Sequence, residues 1–107
     1  ILIDRPLGSH HPKHTDMIYP VNYGYVPHIF SADGEEVDVY LLGVSQPVEK
    51  YKGRVIAVIH RLDDVEDKWI AAPTGVTFTP DEIEKAVNFQ EQYFQHEIEV
   101  LDSISDK

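Results

Sequence analysis

The chain reads as an α+β domain that is mainly β: short strands around a closed or nearly closed barrel, with one main C-terminal helix. Two observations carry this. The apolar runs at 37–42, 55–59 and 69–72 are strand-length and are bounded by glycine, proline or clustered acids. A single helix start is well signalled, at Thr79-Pro80-Asp81-Glu82. Counting apolar faces does not by itself separate a barrel from an open sheet under a helix. At 107 residues the chain is one domain, 1–107.

The elements follow in order. Residues 1–3 are a short apolar strand end closed by Asp4-Arg5-Pro6. Residues 8–16 form a polar loop with Pro12 and three histidines, His10, His11 and His14. Residues 17–25 are irregular or strand-like, because Pro20 removes a ladder donor and Gly24 permits a bend. Residues 27–34 read as a turn region, and 37–42 as a strand stopped by Gly43 and Pro47. The β-branched run 55–59 predicts a strand buried on both faces. An acidic turn at 63–67 and a strand at 68–72 complete a hairpin. Thr79 to Glu82 is a capping box with proline at the first helical position, and two acids suit the positive helix end. Ile83, Ala86, Val87, Tyr93 and Phe94 fall within roughly 120° on a helical wheel, so the helix should run until near His96. Residues 98–101 add a short strand, and the tail from Asp102 should fray.

The net charge of −10 argues against nucleic acid, which needs a basic face. No cysteine is present, which excludes disulfides and thiolate chemistry. No run approaches the ~20 apolar residues of a membrane span, and no signal-peptide pattern is visible. The expectation is a cytoplasmic protein without membrane contact. The chain begins at Ile1 rather than at a methionine, which leaves room for residues upstream.

The chemistry is concentrated in two acidic turns. Asp33-Gly34-Glu35-Glu36-Val37-Asp38 puts four carboxylates into six residues. Such crowding asks for compensating positive charge, and Mg²⁺ or Ca²⁺ prefers carboxylate oxygens. The second turn, Asp63-Asp64-Val65-Glu66-Asp67, is followed directly by Lys68. Two such turns, one carrying a lysine, can hold metal ions facing a bound phosphate. Each also has a plainer reading, as a solvated turn and as a charged hairpin tip. Arg5 could simply pair with a neighbouring acid, and Tyr23, Tyr25 and Tyr93 could be core aromatics. The three loop histidines invite a transition-metal reading, although Pro12 opposes a regular helix that would align them. His60, in a buried strand, reads as a structural histidine.

Tyr19-Pro20-Val21-Asn22-Tyr23-Gly24-Tyr25, followed by the 33–39 segment, resembles the soluble (family I) inorganic pyrophosphatases. Their signature is Asp, small residue, Asp, Pro or Glu, apolar, Asp, with Asn-Tyr-Gly-Tyr just upstream. The resemblance implies an OB-like five-stranded β-barrel and Mg²⁺-dependent hydrolysis of pyrophosphate, with Mn²⁺ as an alternative ion. It also implies roles. Asp33, Asp38, Asp63 and one of Glu66 or Asp67 would bind metal, with Asp67 taken as the ligand. Glu35 would accept the proton of the attacking water. Arg5, Tyr23, Lys68 and Tyr93 would contact phosphate, with Lys68 also acting in catalysis. A homo-oligomer is expected from the bacterial members.

Several positions depart from the pattern. Glu35 replaces the usual aspartate, and Phe94 stands where a lysine is expected. The family's N-terminal region is absent from this chain. The acidic turn before Lys68 is about two residues short of the pattern, and the 8–16 loop is longer than its counterpart. That loop is a candidate to supply donors where the lysines are missing. Two other functions stay open at this stage: a hydrolase of another phosphoanhydride or phosphoester, and a non-catalytic cation- or phosphate-binding OB-like module.

Overall fold

Alternation decides which way each strand faces. On the central strands, Asp38 and Tyr40 lie on one side with Lys68 and Ile70, their register partners. Val39, Leu41, Trp69 and Ala71 turn to the other side. The computed structural model describes residues 1–63 and 66–101. Among these are β1 Leu2–Arg5, β2 Asn22–Phe30, β3 Glu36–Leu41, β4 Arg54–Arg61, β5 Asp67–Ala72, α1 Pro80–Glu91 and β6 His96–Val100. The strands form one sheet in the order β1-β2-β3-β5-β4-β6. Only β3 and β5 run parallel; the other neighbours are antiparallel.

The sheet has a core on each face. Tyr23, Tyr40, Ile59 and Ile70 pack under Ile83 and Val87 of α1. Complete burial of those two helix residues contributes roughly 1.5–3 kcal/mol each. On the far face Val39, Leu41 and Ala71 are covered by Ile1, Ile3, Val44, Val48 and Tyr51. The α+β, mainly β class with a C-terminal helix is therefore present, with six strands among the described residues where the resemblance implied five. β1 and β6 end the hydrogen-bonded order.

The local expectations fare unevenly. The capping box forms in full: Thr79 Oγ1 accepts from Glu82 N, and Glu82 Oε1 accepts from Thr79 N. β4 and β5 form the hairpin, closing on the pair His60–Asp67. In the 55–59 run Ile56, Ala57 and Ile59 are buried, whereas Val55 and Val58 are half-buried. The helix, however, stops at Glu91, short of His96. The short strand expected at 98–101 forms as β6, His96–Val100, paired with β4, and the chain turns between α1 and β6 where the helical stripe predicted helix. Tyr93 and Phe94 consequently lie in the turn after α1.

The 27–34 turn region is partly strand. β2 runs on to Phe30 through an irregular register between Tyr25 and Phe30. There His28 takes φ 67° and its N–H donates to Glu36 Oε2 at 3.0 Å. The bulge accommodates Pro27, which has no N–H to pair. Gly24 pairs with Ile3 beside a register shift between Ile3 and Arg5, and a Cβ there would meet Leu2 O at 1.9 Å. Only glycine lets β1 pass so close. Asp64, Val65 and the tail 102–107 lie outside the described residues.

Candidate active site

The helix-side face of the sheet opens, beyond the end of its apolar core, into a cavity of about 770 Å³. Arg5 enters from β1, Tyr23 from β2, Asp38 from β3, Arg61 from β4 and Lys68 from β5. His11, His14 and Asp16 of the 8–16 loop form another part of the wall, and Gln90, Tyr93 and Phe94 come from the end of α1 and its following turn.

Lys68 is the electrostatic centre. Its side chain is 4% exposed, and its Nζ donates to Asp38 Oδ2 at 2.5 Å and to Glu66 Oε1 at 2.6 Å. The Arg61 guanidinium also approaches Glu66, at 3.6 Å. A buried ammonium needs such carboxylate partners to stay charged. Burial first, and then the Asp38 carboxylate that accepts its hydrogen bond, push the Tyr23 phenol well above its ordinary range. Tyr23 is therefore a hydroxyl donor at neutral pH.

A polar chain runs behind this wall. Arg5 Nη1 donates to Tyr19 Oη at 2.5 Å, and Tyr19 Oη donates to Gln90 Oε1 at 3.0 Å. Gln90 Nε2 donates to Tyr40 Oη at 2.6 Å, which donates to Glu91 Oε2 at 2.6 Å. Glu91 is fully buried and takes Arg61 Nε at 3.1 Å and Nη2 at 2.7 Å, the two-pronged geometry that suits guanidinium and carboxylate. Phe94 lies under the same guanidinium, 3.7 Å from ring centroid to Cζ.

Of the residues expected from sequence, Arg5, Tyr23, Asp38, Lys68 and Tyr93 line this cavity. Tyr93 does so from an exposed position. Asp33 and Glu35 sit on the exposed β2–β3 turn, outside the lining. The Ser31 hydroxyl and the Glu35 N–H donate to Asp33 Oδ1 at 2.6 and 2.9 Å and hold its carboxyl below the usual carboxylate range.

Asp63 and Asp67 do not join this group. Asp63 Oδ2 accepts from Gln95 N at 3.3 Å. Asp67 turns to the other sheet face, 3.3 Å from His60 Nδ1. Strand alternation separates the two acids left open beside Lys68: neighbours face opposite sides, so Asp67 faces His60 while Glu66, two residues before Lys68, shares its face. His60 is half-buried and shared between Asp67 and Glu99 Oε1, the latter at 2.8 Å.

Sequence reasoning missed Arg61 and Glu91. A signal existed for each. Arg61 is two residues beyond buried Ile59, and Glu91 continues the Ile83, Val87 helix spacing, so both charges belong to buried faces.

Carboxylates suit a hard cation chemically. Asp38 and Glu66 share the Lys68 ammonium, and Glu66 also meets the Arg61 guanidinium. Among the described residues no group of three or more His, Asp or Glu side chains is gathered closely enough to hold a metal. Carboxylate is the donor type magnesium takes, but the described side chains are not gathered into a metal site, and Lys68 supplies the cation in the arrangement observed.

Residues 6–100 match the family model described as inorganic pyrophosphatase. Among curated proteins, the chain is 32% identical over 89 residues to the inorganic pyrophosphatase of Caulobacter vibrioides, covering 72% of this chain and 47% of that protein. It is 37% identical over 81 residues to that of Saccharolobus solfataricus, covering 72% and 44%. With that of Rickettsia felis it is 38% identical over 65 residues, covering 57% and 38%. The chain spans less than half the length of these curated relatives. The crystal structure of inorganic pyrophosphatase from Ehrlichia chaffeensis superposes with a TM-score of 0.67 at 21% identity, covering 97% of this chain and 85% of that one. That from Coxiella burnetii gives 0.66 at 18%, covering 99% and 86%. Both share the fold.

Proposed function

The chain belongs to the inorganic pyrophosphatase family, and from that premise we propose that it hydrolyses inorganic pyrophosphate to two phosphates. The supporting observation is that Arg5, Tyr23, Asp38 and Lys68, carried by four different strands, line one cavity.

Pyrophosphate is strongly anionic, so hydrolysis needs positive charge on its oxygens and a water able to lose a proton. Arg5 suits two-point contact with one phosphate, while Lys68 acts as a point charge on the other. Tyr23, kept protonated, would donate to a non-bridging oxygen once its single O–H turns from Asp38 toward the substrate. Asp33, Asp38 and Glu66 would hold Mg²⁺ (or Mn²⁺), with Asp63 and Asp67 as outlying acids of the same turns. When bound, the ion would supply Lewis acidity and make the attacking water more acidic. Glu35 would take the water proton, which requires its exposed side chain to turn toward the cavity. Tyr93 would contact substrate from the mouth. Assembly as a homo-oligomer and a cytoplasmic place belong to the same proposal; among the described residues no helix is long and apolar enough to cross a membrane.

The decisive experiment is phosphate release from pyrophosphate with Mg²⁺, run beside Asp38→Asn and Lys68→Met. Release by the wild type that both substitutions abolish supports the assignment. Wild-type release no greater than theirs overturns it.

A further inference from the structure

The 8–16 loop is an ordered part of the cavity wall. Gly8 N donates to Tyr19 O, Tyr19 N to Ser9 O, His11 N to Met17 O, and Met17 N to His14 O. His10 pairs with Ile18 in an isolated β-bridge. The loop is therefore tied along its length to the strand-like segment that carries Tyr19.

His11 occupies a defined place within it. Its Nδ1 accepts two backbone N–H groups, from Lys13 at 3.0 Å and from His14 at 3.2 Å. A nitrogen accepting from two amides keeps its lone pair, so the neutral ring carries its proton on Nε2. The ring stacks on Tyr19, with centroids 6.2 Å apart and planes at 8°. That tyrosine hydroxyl receives Arg5 Nη1. His11 and Arg5 thus stand on neighbouring parts of one wall.

The surroundings oppose a charged imidazole. Partial desolvation, then the charges of Arg5, His14 and Lys13, hold the His11 pKa below its ordinary value. Asp16 from the loop, Asp4 from β1, Tyr23 from β2, and Gln90 and Tyr93 from the helix end also line the cavity. A group that donates through Nε2–H while neutral is a hydrogen-bond donor whose strength does not depend on pH above its pKa.

We propose that His11 is a substrate-binding residue whose neutral Nε2–H donates to a non-bridging oxygen of the phosphate held by Arg5. This deepens the proposed pyrophosphate hydrolysis and rests on it. The 8–16 loop then adds a donor to the anion site as well as closing its side.

His11→Asn tests the assignment. The asparagine Oδ1 can still accept the amides of residues 13 and 14, as such side chains do in turns, but the Nε2–H is gone. Loss of one hydrogen bond to a charged ligand predicts a KM raised about tenfold with kcat nearly unchanged. Calorimetry with methylenediphosphonate, a non-hydrolysable diphosphonate, should show Kd weakened by a similar factor. The variant-to-wild-type KM ratio should stay flat from about pH 6.5 to 8.5, because the donor is neutral. An unchanged KM and Kd in a variant with the wild-type melting temperature overturns the proposal. So does a ratio that falls to one as pH rises, which would mark an imidazolium contact. If the wild type releases no phosphate, the hydrolytic function fails, and the calorimetry alone decides His11. Failure of the wild type to bind the diphosphonate then overturns it as well.

Discussion

At the scale of single residues, the site is governed by how charges share partners. Lys68 is satisfied by Asp38 and Glu66, and Asp38 also takes the Tyr23 hydroxyl. Asp38 Oδ2 is already engaged by the Lys68 ammonium, whereas the Glu35 side chain is exposed and has no such partner among the described residues. That favours Glu35 over Asp38 for the base, although Asp38 lines the cavity and Glu35 does not. Glu35→Gln keeps the size of the side chain and removes only its ability to accept a proton. Steady-state kinetics with pyrophosphate should show kcat lowered about 100-fold or more, with KM little changed. Wild-type kcat in Glu35→Gln, together with lost kcat in Asp38→Asn, would move the base to Asp38. Lys68 and Asp38 were legible from sequence because one is the single cation at an acidic turn and the other the acid inside an apolar strand. Glu66 was half legible: the acids were visible, but choosing among them required the facing of the strand.

At the scale of elements, the least legible boundary was that between α1 and β6. The apolar stripe predicts helix to near His96, but the chain turns after Glu91 so that residues 96–100 pair with β4. No local signal outweighs the stripe; the partner strand decides. His96 then pins the two elements together. Its Nδ1 donates to Phe94 O at 2.9 Å, and its Nε2 faces Glu84 Oε1 of α1 at 2.8 Å. Using both nitrogens as donors means the imidazolium form. Desolvation lowers the pKa of His96, but the Phe94 carbonyl and the Glu84 carboxylate outweigh it, so the net shift is upward. A raised folded pKa contributes stability that is fully present below the unfolded value of about 6.5 and lost as pH rises through the folded value. Glu84→Gln should therefore lower the melting temperature most near about pH 5.5 and hardly at all near about pH 8.5. A deficit that is constant across that range, or that grows with pH, would show that His96 is not charged in the fold.

At the scale of the molecule, a buried ion pair between Arg61 and Glu91 helps join the sheet to the helix at the cavity. The sequence predicts the apolar part of that junction through Ile83 and Val87, because spacing reveals a stripe. It hides the polar part, because a lone arginine and a lone glutamate, 30 positions apart, carry no local mark of being partners. Glu91 is fully buried and the Arg61 side chain is 5% exposed. Breaking such a pair from one side leaves a buried charge without its two-pronged partner, which costs about 3–5 kcal/mol. Glu91→Ala should show that loss in urea unfolding. Its effect should reach activity too, since Arg61 also approaches Glu66, which holds Lys68. Replacing both members with apolar side chains of similar volume, Arg61→Met with Glu91→Leu, removes the guanidinium along with the carboxylate and should recover most of the stability. Pyrophosphate turnover should stay low in the double variant, because Glu66 then lacks the guanidinium beside it. Full stability in Glu91→Ala would mean that apolar packing alone seats the helix. Full activity in the double variant would mean that Arg61 holds the helix without shaping the site.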